Sequence, residues 1–135
     1  MGQDANNDDD RYADGESVRR AVLGDAHVAA AKSAATDFDA DFQRYITENA
    51  WGAIWGRGGL SRRERSLLTI ALLGAFCHEE ELAMHIRATA NTGASKQDVK
   101  EALLHMAVYA GVPAANRAIK VAKHIYAEMT REETS

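Results

Sequence analysis

Cysteine and proline are nearly missing from this 135-residue sequence, with Cys77 and Pro113 the only ones. One cysteine can form no intrachain disulfide, and no cysteine quartet exists to hold a structural zinc, so we expect a reducing, cytoplasmic compartment. Long apolar runs are missing too, and none approaches the roughly 20 residues of a membrane span. The opening MGQDANNDDD is polar and acidic, without the cationic and apolar parts of a signal peptide. Although the chain starts Met-Gly, Asn6 stands where a myristoylation signal wants Ser or Thr. Positive charge is in deficit: 16 Lys and Arg against 20 Asp and Glu give a net charge of -4. That balance argues against nucleic acid as a partner, because phosphate binding needs a cationic surface. No segment alternates with period two through β-branched residues, so strands are not expected.

What is present is 46% hydrophobic content in a chain sized for one domain, rich in alanine, leucine and charged residues. We expect an all-α, single-domain bundle of five to seven helices over residues 12–130. Residues 1–11 read as a solvated, disordered acidic tail, and 131–135 as a polar tail. A first short helix runs from about Ser17 to Gly24, and a second from Ala26 to Ala34. Phe38, Phe42, Tyr45 and Ile46 recur at helical spacing, predicting a helix over Asp37–Ala50 stopped by Gly52. Glycines 56, 58 and 59 then make a loop. Ser61 and Glu64 form a capping box for a helix to about Ala75. Glu79, Glu80 and Glu81 suit the first turn of a helix ending near Gly93. Ser95 and Asp98 cap a helix that reaches Ala110, Gly111 closes it, and Pro113 suits the first turn of a last helix running toward Met129.

The residues that carry chemistry crowd into 50–87. Glu81 and His85 lie four apart on a predicted helix, where a carboxylate can orient an imidazole that titrates near neutral pH. The competing reading is a solvated surface pair. His78 could join them, but a zinc site needs a further ligand and this is not the HExxH spacing. Arg57, Arg62, Arg63 and Arg65 could clamp carboxylates with a planar fork. They cannot all face one pocket, so Arg57, on the glycine loop, and Arg65 are favoured over Arg62 and Arg63. Arg87 points to another side of the His85 helix. Trp51 and Trp55 are core or interface anchors, or walls of a pocket beside the glycine loop. Tyr109 offers a hydroxyl at a helix end and Asn116 an amide one turn on, against the alternative of a Tyr satisfied inside the core. Cys77 reads as a plain buried cysteine.

From Arg19-Arg20-Ala21-Val22-Leu23-Gly24-Asp25-Ala26-His27-Val28, through Ala50-Trp51-Gly52, Trp55, Arg57, Gly59-Leu60, Arg65-Ser66-Leu67, Glu81-Leu82, His85, Arg87 and Asn91, to Tyr109-Ala110-Gly111-Val112-Pro113-Ala114-Ala115-Asn116, the sequence resembles the γ-carboxymuconolactone decarboxylases. The wider alkylhydroperoxidase-D-like superfamily has redox members with Cys-x-x-Cys-x-x-x-His on the equivalent helix. Counting back from His85, those cysteine positions are Glu81 and His78 here, so a disulfide-based peroxidase mechanism is unsupported.

The resemblance implies an all-α fold assembled as a homo-oligomer, commonly a hexamer, with sites that can take residues from a neighbouring chain. It implies removal of CO2 from 4-carboxymuconolactone, a dicarboxylate butenolide, to give β-ketoadipate enol-lactone, with no metal or organic cofactor. On this expectation Arg57 or Arg65 binds the acetate carboxylate, and the departing carboxylate lies against Trp51 or Trp55. His85 donates the proton with Glu81 holding its ring, His27 or Tyr109 stabilises the developing lactone oxyanion, and Asn116 is a further substrate-binding residue. Two other readings stand beside it: a non-catalytic helical assembly module, and a peroxidase-like or lactone-acting enzyme on the same fold.

Overall fold

Helix starts and stops follow local sequence rules through most of the chain. The computed structural model describes residues 2–134, and among them there is no strand. The order is α1 (Gly2–Leu23), α2 (Asp25–Ala34), α3 (Ala40–Ile46), a π-helical segment (Thr47–Trp55), α4 (Arg62–Ala75), α5 (Glu79–Thr92), α6 (Lys96–Ala110) and α7 (Val112–Thr134). The chain divides into two compact units, one through Ser61 and one from Arg62. Each has its own packing. No helix among the described residues is long and apolar enough to cross a membrane.

In the first unit α1 packs along the π-segment and α2, and α3 packs on the π-segment. Helix α1 starts at Gly2 rather than Ser17, so the stretch to residue 11 expected as a tail is helical from residue 2, and Met1 lies outside the described residues. Arg44 of α3 ion-pairs with Asp9 at 3.4 Å and sits over the Tyr12 ring at 5.0 Å. These partners lie more than 30 residues apart, so composition near the N-terminus could not reveal them. The helix expected over Asp37–Ala50 starts at Ala40, and its continuation widens into the π-segment with Gly52 inside it. Gly52 does not stop a helix but admits one: a Cβ there would lie 3.0 Å from the Arg11 carbonyl oxygen. Phe38, Phe42 and Tyr45, whose spacing predicted the helix, are all exposed.

The second unit buries Ile70 of α4, Leu82 and Ile86 of α5, Val99, Leu103 and Met106 of α6, and Ala118, Ala122 and Ile125 of α7 in one cluster. The alanines of α7 recur at helical spacing and keep that face narrow. Arg87 ties α5 to α7 through Glu128 and, at 3.2 Å, Glu132. Helix α4 starts directly after Ser61, and α5 and α6 end at Gly93 and Gly111, whose φ values of 85° and 100° suit glycine. At the end of α4 the His78 N–H bonds the Leu73 carbonyl at 2.9 Å and the Cys77 N–H bonds that of Gly74 at 3.2 Å. This is a Schellman close, and it puts Cys77 in the left-handed region with φ 59°. The reversal turns the thiol outward, so Cys77 is exposed rather than buried as expected. Helix α7 continues to Thr134, so residues 131–134 are helical and Ser135 alone of the expected tail lies outside the described residues.

The capping box of α6 forms in full, with Ser95 Oγ accepting from the Asp98 N–H and Asp98 accepting from the Ser95 N–H, each at 2.9 Å. Asp98 also takes a bidentate pair from Arg63 of α4, at 2.8 and 2.6 Å. The Arg63 guanidinium first, and the Ser95 amide next, hold the Asp98 carboxyl well below the usual carboxylate range. A depressed folded-state pKa stabilises above the unfolded value of about 3.9 and is lost as pH falls below it. Between pH 7 and pH 3 the urea midpoint of Asp98→Asn is therefore expected to fall less than that of the wild type. Equal falls would show that the pair contributes nothing.

Candidate active site

Helix α5 buries Leu82, His85, Ile86 and Thr89, the i, i+3, i+4, i+7 stripe of an amphipathic helix. His85 thus occupies a core position and is only 6% exposed. Glu81, one turn earlier, is exposed together with Glu79 and Glu80. Three carboxylates in the first turn are favoured by the helix dipole whatever else they do. The pair singled out by spacing is unequal: a sequestered imidazole and a carboxylate at the surface.

Arg65 is half-buried on α4, the helix that packs against α5, α6 and α7. Its neighbour Ser66 is wholly buried, and the hydroxyl finds no hydrogen-bond partner among the described residues. A mid-helix hydroxyl usually bonds back to the preceding turn, as Thr69 does to the Arg65 carbonyl at 2.8 Å. Nothing in the sequence marks Ser66 as the exception. Tyr109 and Asn116 flank the Gly111 turn and are both exposed, Tyr109 by 81%, with its ring 5.1 Å from that of His105.

In the first unit Trp51 and Trp55 are buried on the π-segment, ring centroids 5.2 Å apart and tilted by 35°. π-helical turns recur at functional sites, and this one spans nine residues. Arg57 is exposed in the turn that follows, and His27 is exposed on α2. Of the arginine cluster, Arg63 serves the fold through Asp98. Arg87 does likewise through Glu128 and Glu132.

One buried arginine was not singled out from sequence. Arg19 of α1 is 8% exposed, and burial lowers its pKa from the ordinary arginine value. Its neighbour Arg20, identical in type, pairs with Glu16 at 3.1 Å. Only the facing of α1 separates the two. A cavity of about 380 Å³ lies beside Arg19, and one of about 850 Å³ in the second unit is walled by Leu103, Leu104, Ile119 and Tyr126. Neither is lined by any of the expected site residues. No three His, Cys, Asp or Glu side chains come together as a metal site among the described residues.

Among the described residues the protein is all-α, with a buried histidine on α5 four residues after an exposed glutamate. The chain belongs to the Carboxymuconolactone decarboxylase family, whose model matches residues 40–124. It is 46% identical to a 4-carboxymuconolactone decarboxylase of Acinetobacter baylyi over 91% of this chain and 92% of that protein. It is 39% identical to the nitrosuccinic acid decarboxylase npaB of Metarhizium robertsii over 96% of this chain and 92% of the other. A 4-carboxymuconolactone decarboxylase sequence of Pseudomonas putida is 52% identical, covering 31% of this chain and 88% of that sequence.

Proposed function

We propose that this protein is a carboxy-lyase that converts 4-carboxymuconolactone to β-ketoadipate enol-lactone and CO2 in protocatechuate catabolism, without a cofactor. The observation that carries the reading is 46% identity, across nine-tenths of both chains, to a protein named for that reaction. The chemistry asks for little. As the bond to the carboxylate breaks, its electrons pass through the ring double bond into the lactone carbonyl, so the substrate is its own electron sink. The protein has to hold the second carboxylate, stabilise the oxyanion and deliver a proton to the ring carbon beside the carbonyl.

His85 is the proton donor in this scheme, and its burial keeps competing water from the ring. Glu81 orients the imidazole. Arg57 or Arg65 holds the acetate carboxylate by the fork of its guanidinium. Trp51 and Trp55 present an apolar face to the carboxylate that leaves as neutral CO2. His27, Tyr109 and Asn116, exposed on the single chain, supply polar contacts to the oxyanion and substrate. A homo-oligomer, with a hexamer as the expected form, covers them with a neighbouring copy. Leu68 and Leu72 of α4, with Phe76 just past its end, support that assembly: spaced four apart, all three are exposed, an apolar ridge that a monomer would leave in water. Sedimentation at the monomer mass would remove the assembly from the scheme. The net charge of -4 gives no reason to add nucleic acid as a partner, and a lone cysteine suits the cytoplasm.

The relation to a nitrosuccinic acid decarboxylase favours a second substrate of the same logic. Nitrosuccinate is also a dicarboxylate, and its nitro group takes the electrons that the lactone carbonyl would take. The test mixes chelator-treated protein with freshly generated 4-carboxymuconolactone, and separately with nitrosuccinate, and follows CO2 and product. Catalytic, stoichiometric CO2 and enol-lactone are expected from the first. Intact lactone beside consumed nitrosuccinate would transfer the reading to the second substrate, and no turnover of either would leave the assembly module.

A further inference from the structure

Arg19 has no part in the scheme above, yet it is a charge held inside the first unit. Its two hydrogen bonds both leave from Nη1, to Gln43 Oε1 at 3.3 Å and Thr47 Oγ1 at 3.4 Å, and both acceptors are neutral. Both are also long for N–H···O bonds. Its Nε is buried with no hydrogen-bond partner among the described residues. The other cations lining the adjacent cavity are matched: Lys32 pairs with Glu16, and Arg44 pairs with Glu48 at 2.8 Å and Asp9 at 3.4 Å. Arg19 is the cation of that wall that forms no ion pair among the described residues. A guanidinium does not shed its proton to escape burial as an amine does, so the charge remains. A buried charge is costly unless a counter-charge meets it, and two long bonds to neutral oxygens meet it in part.

We propose that the cavity of about 380 Å³ beside Arg19 is a binding site for a compact organic monocarboxylate, anchored on the Arg19 guanidinium. The planar fork matches a carboxylate, and Nη1 is already held in place by Gln43 and Thr47. A phosphate dianion suits the site less well, since Glu16 and Asp41 stand on the same wall and one unmatched positive charge faces them. Val28, Ala35 and Ala40 complete the wall with apolar surface, suited to a single ring or a short carbon chain behind the carboxylate. The size lies within the range of small-molecule pockets. The inference goes beyond the decarboxylase reading, because no residue assigned there lines this cavity, and its test requires no turnover.

Benzoate is the probe, titrated into the full-length, 15N-labelled protein at constant ionic strength held with sodium chloride, with inorganic phosphate as a parallel arm. The readout is the arginine Nε–H spectrum. One resonance, absent in Arg19→Lys, is expected to shift saturably with benzoate and not with phosphate or chloride. A second variant, Ala35→Leu, leaves the guanidinium intact and fills the cavity, so it is expected to weaken benzoate at least about tenfold even if Arg19→Lys does not fold. A shift that chloride reproduces, an equal response to phosphate, or unchanged benzoate affinity in Ala35→Leu would overturn the assignment.

Discussion

His85→Gln lowers kcat at least about a hundredfold, some 2.7 kcal/mol of barrier, and leaves a folded protein. Glutamine keeps much of the imidazole's volume and its hydrogen-bonding capacity on the buried stripe of α5, but it cannot pass a proton to carbon. Alanine would answer less cleanly, because His85 lies in the interior and truncation there leaves a cavity. The measurement is steady-state decarboxylation of 4-carboxymuconolactone beside a thermal melt. A proton donor acts in the transition state, so the loss falls on kcat and on kcat/KM alike. Near-wild-type turnover would show that another group protonates the ring carbon. Glu81→Gln is the internal comparison. Glu81 sits at the surface of α5, where its field is screened, so its replacement costs less than that of His85 if it only orients the ring.

Features set by a few adjacent residues were legible in the sequence. The Ser95 and Asp98 box, the ends of α5 at Gly93 and of α6 at Gly111, and Pro113 in the first turn of α7 all rest on backbone groups within one turn of the residue that satisfies them. The exposed Cys77 followed a local rule as well, but glycine usually fills that left-handed position and its absence hid the turn. What failed to show was the effect of distant partners. Nothing in residues 1–12 indicates that Arg44 meets Asp9 and Tyr12, and an acidic run by itself suits a solvated tail. The Trp51 and Trp55 spacing suits an α-helix and a π-helix alike, so the widening was invisible. At the candidate site, the spacing of Glu81 and His85 was plain, and the apolar stripe of α5 decides which of the two is buried. Arg19 and Arg20 could not be told apart, because α1 has no apolar stripe strong enough to set its facing from sequence alone.

The packing of α1 on the π-segment depends on a glycine, and Gly15→Ala is expected to break it. On an isolated helix this substitution stabilises by up to about 1 kcal/mol, since alanine is the better helix former. Here a Cβ at position 15 would lie 2.0 Å from the Thr47 carbonyl oxygen and 2.9 Å from its carbon. Both are backbone atoms, so no side-chain rotation relieves the clash. Helix α1 must move off the π-segment by more than about 1 Å, and overpacking of this kind costs about 1–3 kcal/mol or more. The clash outweighs the helix gain, and a net loss near 2 kcal/mol lowers Tm by roughly 5–10 °C in a chain of this size. Ser17→Ala, at an exposed position of the same helix, separates the two effects: it makes the helix-former gain without the clash and leaves Tm level or slightly raised. If Gly15→Ala also raised Tm, α1 would not approach Thr47 this closely, and the bond from Arg19 to the Thr47 hydroxyl would lose its geometric basis. If Tm falls as expected, the same variant strains that bond, so its benzoate affinity falls together with its stability.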